Sequence, residues 1–324
     1  MRGIRFHEHG GPEVLRMEDW DPGPPAAGEV QLRHTAIGLN YIDVYDRTGL
    51  YPAQLPSGMG REAAGVVVAL GRAVRGVRVG DRVAYVHSVP GAYCELRNVP
   101  AQRLVKIPRD ITDAQAAAIM LKGLTARALL RRTYRVRRGE TILVHAAVGG
   151  VGLILTQWAH ALGATVIGVV GSAGKAELAR RHGCRHVLIR GRDDLVANVR
   201  KITRGQGVAV VYDSVGRDTF MASLDCLRPL GMMVTYGNAS GPPPAISPLE
   251  LSTRGSLYLT RPTLFSYIGE RSELEAAARE LFSVVRRGMV RVRIGQRYPL
   301  AEAAAAHRDL EARRTTGSTV LIPG

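Results

Sequence analysis

The chain has 324 residues, 46% of them hydrophobic, so it can bury a sizeable core and divide into about two domains. Its three cysteines, Cys94, Cys184 and Cys226, are far apart, which excludes a disulfide framework or a cysteine metal cluster and fits a reducing cytosol. The net charge of +16 raises the possibility of a nucleic-acid partner. However, the basic residues are scattered, and their nearest cluster, RRTYRVRRG at 131–139, is better explained as an exposed arginine-rich turn than as a nucleic-acid site.

Two segments bear on localisation. The N-terminus, MRGIRFHEHGGPEV, carries charges and histidines where a signal peptide needs an apolar segment. The stretch 149–171 is long and apolar, but Gln157, His160 and the glycines at 163 and 168 divide it into a helix, a turn and a strand. We therefore expect a soluble, cytoplasmic protein without a membrane partner.

The first 120 residues or so predict an irregular β domain, because short apolar stretches alternate with glycine and proline. These stretches are GEVQLRHTAIGL, REAAGVVVALG, GDRVAYVHS and GAYCELRNV.

From about residue 124 the chain alternates apolar strands with predicted helices at 151–161, 175–181 and 193–202. This pattern is typical of a doubly wound parallel sheet covered on both faces. After Pro262 the pattern is helix, strand and helix, and the chain ends in the strand STVLIP. We expect this last strand to rejoin the first β region. The predicted domains are therefore 1–123 with 262–324, and an inserted α/β domain at 124–261.

The first strand of the inserted domain runs into the turn AAVGGVG, at 146–152, and then into a helix. Such a turn can hold a pyrophosphate, because glycines let the backbone approach and the helix N-terminus is positive. The glycine spacing is not the literal GxGxxG, and a packing turn would also use glycines. The succession of β/α elements favours a dinucleotide site. Its predicted contacts are Ala147, Gly149, Gly150, Val151 and Gly152.

The end of the second strand indicates which dinucleotide binds. An Asp or Glu there would bind the ribose of NAD, but this strand is followed by Gly171, Ser172 and Lys175. Arg190 follows the third strand. Lys175 alone could be a solvated helix residue. Together with the missing acid, the two cations predict NADP(H), whose extra phosphate they would bind.

Segments along nearly the whole chain resemble one family in order. They include AIGLNYIDVYDRTGLYP, LPSGMGREAAGVV, LKGLTA, HAAVGGVGL, VVYDSVGRDTF and SLDCLRPLGMMVTYGNASG. The family is that of the zinc-independent quinone oxidoreductases, the NADPH:quinone reductase and zeta-crystallin group of the medium-chain dehydrogenase/reductase superfamily. The resemblance implies a GroES-like β domain, a Rossmann-type domain, an active site in the cleft between them, and a homodimer.

The resemblance also gives meaning to missing residues. Zinc alcohol dehydrogenases of this superfamily carry a cysteine where this chain has Asn40, and a histidine where it has Arg61. Neither replacement can act as their thiolate or imidazole ligand. Glu62 remains, but one carboxylate cannot hold zinc, and Cys94 stands alone where a structural zinc lobe would follow. We therefore expect no metal.

Without zinc, a quinone is the better acceptor, because it is already electrophilic. The resemblance places Asn40 and Tyr45 beside the nicotinamide or substrate and Thr125 at the domain junction. It gives cofactor contacts to Ser214, Asn238 and Arg313. Where relatives often use a tyrosine for the 2′-phosphate, this chain has Arg190.

Tyr51, in GLYP, is a candidate proton donor or substrate-orienting hydroxyl. An ordinary half-buried turn tyrosine is the alternative. A similarly placed tyrosine assists related enoyl reductases, so NADPH-dependent reduction of an enal or enoyl C=C bond is the rival activity. A third possibility, from another class, is a crystallin-like structural or RNA-binding protein.

Overall fold

The computed structural model describes all 324 residues, which form two compact units. The first unit comprises Met1–Leu124, Ile268–Arg286 and Val292–Gly324, and the second comprises Thr125–Tyr267 and Arg287–Arg291. The second unit thus reaches beyond the predicted limit at residue 261. Two contacts explain this: Thr133 donates to the Tyr267 hydroxyl (3.0 Å), and Gln157 accepts from the Arg291 N–H (2.9 Å).

Residues 1–128 contain eight strands and two helices. In chain order they are β1 (Arg2–Phe6), β2 (Arg16–Asp19), β3 (Glu29–Leu39), α1 (Tyr41–Thr48), β4 (Ser57–Gly58), β5 (Glu62–Leu70), β6 (Arg82–Val86), β7 (Leu96–Pro100), β8 (Leu104–Lys106) and α2 (Asp113–Ala128). A π-helical turn, Leu129–Thr133, follows α2.

The second unit alternates strands and helices. They are β9 (Thr141–Val144), α3 (Gly150–Ala161), β10 (Thr165–Val170), α4 (Ala176–Arg181), β11 (Cys184–Ile189), α5 (Leu195–Ile202), β12 (Val208–Asp213), α6 (Phe220–Asp225), β13 (Leu227–Thr235), α7 (Leu249–Thr253), β14 (Tyr258–Thr260) and α8 (Leu264–Tyr267). The chain then forms α9 (Arg271–Arg286), β15 (Ile294–Pro299), α10 (Ala303–Glu311) and β16 (Ser318–Ile322).

The first unit is built on a seven-stranded sheet in the order β15-β16-β3-β5-β6-β8, with β7 also paired to β3. A three-stranded sheet, β2-β1-β4, accompanies it. The last strand, β16, pairs antiparallel with β3, as the sequence predicts. Alternate residues of β3 are buried, so one face of this strand contributes Val30 and Leu32 to a core that also contains Phe6 and Tyr85.

The second unit contains a six-stranded sheet in the order β11-β10-β9-β12-β13-β14, and all of its pairings are parallel. Numbered within the unit, this order is 3-2-1-4-5-6, which is the Rossmann order. The direction of strand addition reverses between β9 and β12. Ligands of such sheets bind beyond the carboxyl ends of the strands at this switch point. The predicted fold class is confirmed.

Two helices before the second unit, α1 and α2, were not predicted, and neither were α6 and α7 within it. α1 is short and buries the polar residues Asp43, Asp46 and Arg47, which masks its apolar face. α2 is apolar on nearly every side, so it shows no helical periodicity either. None of the helices combines the length and the apolar composition that a membrane span requires.

Candidate functional site

The turn between β9 and α3 is closely packed. Ala146 has a left-handed φ of 48°, and its carbonyl accepts from the Gly149 N–H (2.8 Å). A Cβ at Gly152 would lie 2.2 Å from that carbonyl oxygen, so only glycine fits here. Gly150 and Val151 begin α3, and the backbone N–H groups of a first helical turn have no acceptor within the helix. Together with the adjacent Ala147, the turn forms a cradle for an anion.

Two cations lie near the carboxyl end of β10. Arg190 donates its backbone N–H to the carbonyl of Val170, the last residue of β10 (2.9 Å). Gly171 and Ser172 follow Val170, and the Lys175 N–H donates to the Ser172 carbonyl (3.1 Å). The Arg190 guanidinium lies 3.8 Å from the Asp218 carboxylate. No acidic residue stands between Val170 and Lys175.

The carboxylate of Asp213, at the end of β12, organises the loop that contains Ser214. Asp213 is fully buried and accepts from the N–H groups of Val215 (2.7 Å) and Gly216 (3.1 Å). Its other oxygen accepts from the hydroxyls of Thr219 (2.7 Å) and Ser223 (3.1 Å). Four donors therefore fix this carboxylate and the backbone that follows it.

His145 joins the end of β9 to the same network. The Ser223 hydroxyl gives its proton to Asp213, so His145 Nε2–H must be the donor in the 2.9 Å bond to Ser223. Burial lowers the pKa of His145, and the Asp213 carboxylate opposes that shift. His145 is therefore a neutral residue that connects the loops after β9 and β12.

The loop after β13 approaches the Ser214 loop. A Cβ at Gly237 would lie 2.5 Å from the Ser214 carbonyl oxygen, which requires glycine there. The Asn238 carboxamide donates to the Gly237 carbonyl (2.9 Å) and accepts from Arg261 (3.2 Å). The carboxyl ends of β9 to β13 thus bring the predicted residues of the second unit to one edge of the sheet.

In the first unit, Asn40 lies between the end of β3 and α1. Its Nδ2 donates to Glu62 Oε1 (2.8 Å), and its backbone N–H donates to the Asp43 carboxylate (2.8 Å). The same Glu62 oxygen accepts from the Lys122 ammonium (2.8 Å). Asn40, Glu62 and Lys122 are all buried.

Arg61 pairs with Asp46 through its Nε (2.9 Å) and one Nη (2.7 Å). Arg47 is fully buried and reaches Glu311 at 2.7 Å. These pairs anchor α1 from its inner side. Both of these Arg61 hydrogen bonds go to the carboxylate of Asp46.

Three tyrosines form a row on α1 and the turn after it. The ring of Tyr45 lies 5.4 Å from that of Tyr41 and 5.2 Å from that of Tyr51, the latter pair edge to face. The Tyr51 N–H donates to the Tyr45 carbonyl (3.1 Å), which fixes the turn. Tyr45 is buried, and Tyr51 is half-buried. Predicted residues Asn40, Tyr45 and Tyr51 therefore lie on one continuous segment.

A buried polar cluster supports the start of α1. Asp43 accepts from the Tyr93 hydroxyl (2.9 Å), which also lies 3.3 Å from His307 Nε2. Burial raises the pKa of Asp43 to about 7, against the backbone hydrogen bond from Asn40, and Asp46 raises it further. Burial, together with Arg47, lowers the pKa of His307 to about 3.

Two further predicted residues are Thr125 and Arg313, and the charge of Arg313 acts on Tyr41 of the tyrosine row. Thr125 is the first residue of the second unit, within α2. Arg313 follows α10 in the first unit and has a left-handed φ of 59°. Their predicted contacts stay predictions.

Comparison with known proteins adds independent evidence. A model of the alcohol dehydrogenase GroES-like domain matches residues 26–109, and a zinc-binding dehydrogenase model matches 150–283. The quinone oxidoreductase of Pseudomonas aeruginosa is 53% identical over 99% of both chains. The 2-haloacrylate reductase of a Burkholderia species is 45% identical over 98% of both. The crystal structure of Escherichia coli quinone oxidoreductase complexed with NADPH matches with a TM-score of 0.98 and 49% identity over 100% of both chains.

The chain belongs to the quinone oxidoreductase family of the medium-chain dehydrogenase/reductase superfamily. The chain matches a model described as zinc-binding, so the fit of zinc has to be tested. Asn40 and Arg61 offer no zinc-binding thiolate or imidazole, and Glu62 is held by Asn40 and Lys122. No group of three or more His, Cys, Asp or Glu side chains is placed to hold a metal ion. These residues do not fit zinc.

Several residues around the candidate site of this quinone oxidoreductase were not predicted from the sequence. Lys122 and Asp213 were not predicted as site residues, although each is a buried charge in the structure. A single lysine within the apolar stretch AAAIMLKGL was the available signal, because lysine is almost never buried without a partner. His145 was interpreted as a cleft-lining or packed residue, and its link to Ser223 was not foreseen.

Proposed function

We propose that this protein is an NADPH-dependent quinone reductase that transfers reducing equivalents to a quinone without a metal ion. The observation that carries the proposal is the carboxyl edge of the six-stranded sheet. There, the glycine cradle at 149–152 follows β9, the strand next to β10. Lys175 follows β10 with no acid between them, and Arg190 follows β11 and donates its backbone N–H to the end of β10. Relatives named quinone oxidoreductases cover the whole chain, and one of them was crystallised with NADPH.

The residues fit this cofactor. The backbone of the turn occupies the space that a side chain at Gly152 would fill. The first N–H groups of α3 offer donors to a pyrophosphate. Ser172, Lys175 and Arg190 offer a hydroxyl and two cations to the 2′-phosphate. Ser214 and Asn238 would border the cofactor on loops that Asp213 and Arg261 hold. When bound, NADPH supplies a hydride.

On the substrate side, the protein would mainly bind and orient, because a quinone is electrophilic without a Lewis acid. The carboxamide of Asn40 is fixed by Glu62 and offers a polar contact to the acceptor or the nicotinamide. The row of Tyr41, Tyr45 and Tyr51 rings, inclined to one another by 55° and 64°, offers aromatic contacts for a quinone ring. The Tyr51 hydroxyl would hold or donate the proton that the reduced oxygen takes up.

We also propose a homodimer in the cytoplasm. β14 is an edge strand of its sheet and carries the exposed side chains of Tyr258 (57%) and Leu259 (39%). An exposed apolar edge strand favours pairing with another chain, and β14 of a second copy is its natural partner. The three buried cysteines are free thiols, which is consistent with a reducing compartment.

The two alternative functions are less well supported. Reduction of an activated C=C bond has one relative in its favour, the 2-haloacrylate reductase, but relatives of higher identity are named quinone oxidoreductases. For RNA binding or a crystallin-like role, the net charge of +16 is the only support.

The test is a fluorescence titration of the purified protein with NADPH and with NADH, followed by NADPH oxidation with 1,2-naphthoquinone, 9,10-phenanthrenequinone and a 2-alkenal. We expect tighter binding of NADPH than of NADH, and turnover of the quinones. Turnover of the alkenal alone would replace the proposed reaction by C=C reduction. Failure of both cofactors to bind would refute the assigned cradle.

A further inference from the structure

We infer that Lys122 is a positioning residue of the quinone site: its buried ammonium keeps Glu62 ionised and thereby fixes the orientation of the Asn40 carboxamide. The inference rests on the proposed function, because Asn40 is assigned there to the substrate or nicotinamide. It concerns a residue that neither the glycine cradle nor the tyrosine row requires.

The geometry joins three segments at one oxygen atom. Glu62, at the start of β5, is fully buried, and the side chain of Lys122 on α2 is 5% exposed. Glu62 Oε1 accepts from both Lys122 Nζ and Asn40 Nδ2, each at 2.8 Å. Glu62 Oε2 accepts from the backbone N–H of Leu121 (2.5 Å). Both carboxylate oxygens are thus engaged.

The surrounding backbone is shaped to admit this carboxylate. A Cβ at Gly38 would lie 2.2 Å from Glu62 Oε1 and 2.4 Å from the Ala117 carbonyl oxygen. Glycine at position 38 of β3 therefore leaves the space that the buried Glu62 carboxylate occupies. A buried ion pair is weak support for stability, since an apolar pair of similar volume is often as stable or more so. Its effect on the neighbouring Asn40 offers a better reason for its presence.

The ionisation of Glu62 acts on which way the Asn40 amide faces, because Glu62 accepts the shorter of the two hydrogen bonds from Asn40 Nδ2 (2.8 Å, against 3.4 Å to the Gly38 carbonyl). A carboxylate only accepts hydrogen bonds, so it holds the Asn40 nitrogen and turns the carbonyl oxygen away from itself. A protonated Glu62 could donate to that carbonyl oxygen and reverse the amide. A buried carboxylate without a counter-charge takes up a proton readily. Lys122 supplies that counter-charge.

Other titratable groups near Glu62 must be separated from this effect. Asp43 binds the Asn40 backbone N–H, and Tyr93 donates to Asp43 and is influenced by the charge of Glu62. Arg61 is adjacent in sequence but pairs with Asp46. These groups are unchanged in Lys122 variants. Their titration therefore cancels when a variant is compared with the wild-type protein.

The test compares Lys122→Met with the double variant Lys122→Met/Glu62→Gln. In Lys122→Met we expect kcat/KM for 1,2-naphthoquinone to fall about 10-fold at neutral pH. We also expect it to decrease further as the pH is lowered, which the wild type should not show to the same extent. The double variant has no carboxylate to titrate, so its pH profile should return to the wild-type shape. The dissociation constant of NADPH should change little in both variants.

Two further variants complete the design. Lys122→Arg keeps the charge and should show no additional acid-side loss. Lys106→Met removes a lysine from an exposed pair with Asp81 and should match the wild type. If Lys122→Met does not fold, Lys122→Arg and the double variant still decide the question. An additional acid-side loss in Lys122→Arg, or in the double variant, would overturn the inference.

A readout independent of turnover separates this inference from the proposed function. The side-chain ¹⁵N–¹H resonances of Asn40, identified by their loss in Asn40→Asp, should show a pH-dependent shift in Lys122→Met beyond the one that Asp43 causes in the wild type, and should follow the wild-type titration in Lys122→Met/Glu62→Gln. Absence of quinone turnover in the wild-type protein would refute the proposed function while leaving this shift measurable. Identical titration of the Asn40 amide in the wild type and Lys122→Met would refute the role of Lys122.

Discussion

A Cβ at Gly152 would lie 2.2 Å from the carbonyl oxygen of Ala146, so the cradle depends on a hydrogen atom at this position. Alanine stabilises a helix interior by about 1 kcal/mol relative to glycine, yet here the clash outweighs that gain. We expect Gly152→Ala to weaken NADPH binding at least about 10-fold. Gly174→Ala is the control, since its Cβ would meet no atom within 4 Å. Equal affinities of the two variants, by fluorescence titration, would contradict this assignment.

Lys175 and Arg190 should distinguish the two nicotinamide cofactors. A charge-assisted hydrogen bond to the 2′-phosphate is lost in Lys175→Ala, so KM for NADPH should rise about 10-fold. KM for NADH, which lacks that phosphate, should not change. Lys201→Ala, on the exposed face of α5, serves as the control for net charge. A parallel rise for both cofactors would mean that Lys175 does not contact the phosphate.

Tyr51 should matter through its hydroxyl. Its ring packs on Tyr45, so Tyr51→Phe keeps the packing and removes only the proton donor. We expect kcat with quinones to fall about 10-fold or more, with little change in the dissociation constant of NADPH. Tyr258→Phe, on the edge strand β14, is the control. Unchanged turnover of both quinones and 2-alkenals would show that Tyr51 is an ordinary turn residue.

Asp43 should make stability fall as pH rises. Its pKa is about 7 in the folded protein and 3.8 in the reference state, so the folded state binds its proton more tightly. The stabilising contribution is therefore complete below pH 3.8 and is lost as pH rises through about 7. It amounts to a few kcal/mol, about 4 at most.

Asp43→Asn removes this dependence, so the difference in Tm between variant and wild type should change across that window. Burial also lowers the pKa of His34 to about 4 and that of His307 to about 3, and both oppose the trend by destabilising the fold as pH falls below 6.5. They are present in both proteins and cancel in the difference. Asp21→Asn, at an exposed position, is the control. A constant difference at every pH would exclude the titration of Asp43.

The proposed dimer can be broken at β14. Leu259→Arg would place like charges close together if two copies pair along this strand, so we expect a monomer in sedimentation velocity experiments. Val79→Arg changes an equally apolar residue that is 62% exposed in the first unit, and it should leave the oligomer intact. A dimer that tolerates Leu259→Arg would have another interface.

The second unit was predictable because its strands and candidate site residues can be recognised from short stretches of sequence. The strands β9 to β13 each contain a short apolar run, and the candidate site residues from Gly149 to Asn238 lie in the segments that follow strands. The rule that parallel strands end at one edge then assembles the site without further knowledge. The helix predicted at 151–161 begins one residue earlier in the structure, at Gly150.

The first unit was less predictable because its site depends on long-range contacts. Glu62 and Lys122 are 60 residues apart, and neither has a motif around it that indicates the other. α1 buries its charged residues, so its sequence does not show the exposed polar face that is typical of a surface helix, and no helix was predicted there. The buried pairs Arg61–Asp46 and Arg47–Glu311 likewise connect segments whose proximity follows from the sheet order alone.

The pairing of β3 with β16 has a consequence for synthesis on the ribosome. β3 is among the first strands translated, but its partner β16 is translated only after the whole of the second unit. The segment 125–267 can fold as soon as it emerges, since nearly all of its unit is then present. One edge of β3 must wait until β16 has left the exit tunnel. A nascent chain therefore carries a finished nucleotide-binding unit while the sheet of the first unit is still incomplete, and losing β16 would leave that edge of β3 open to aggregation.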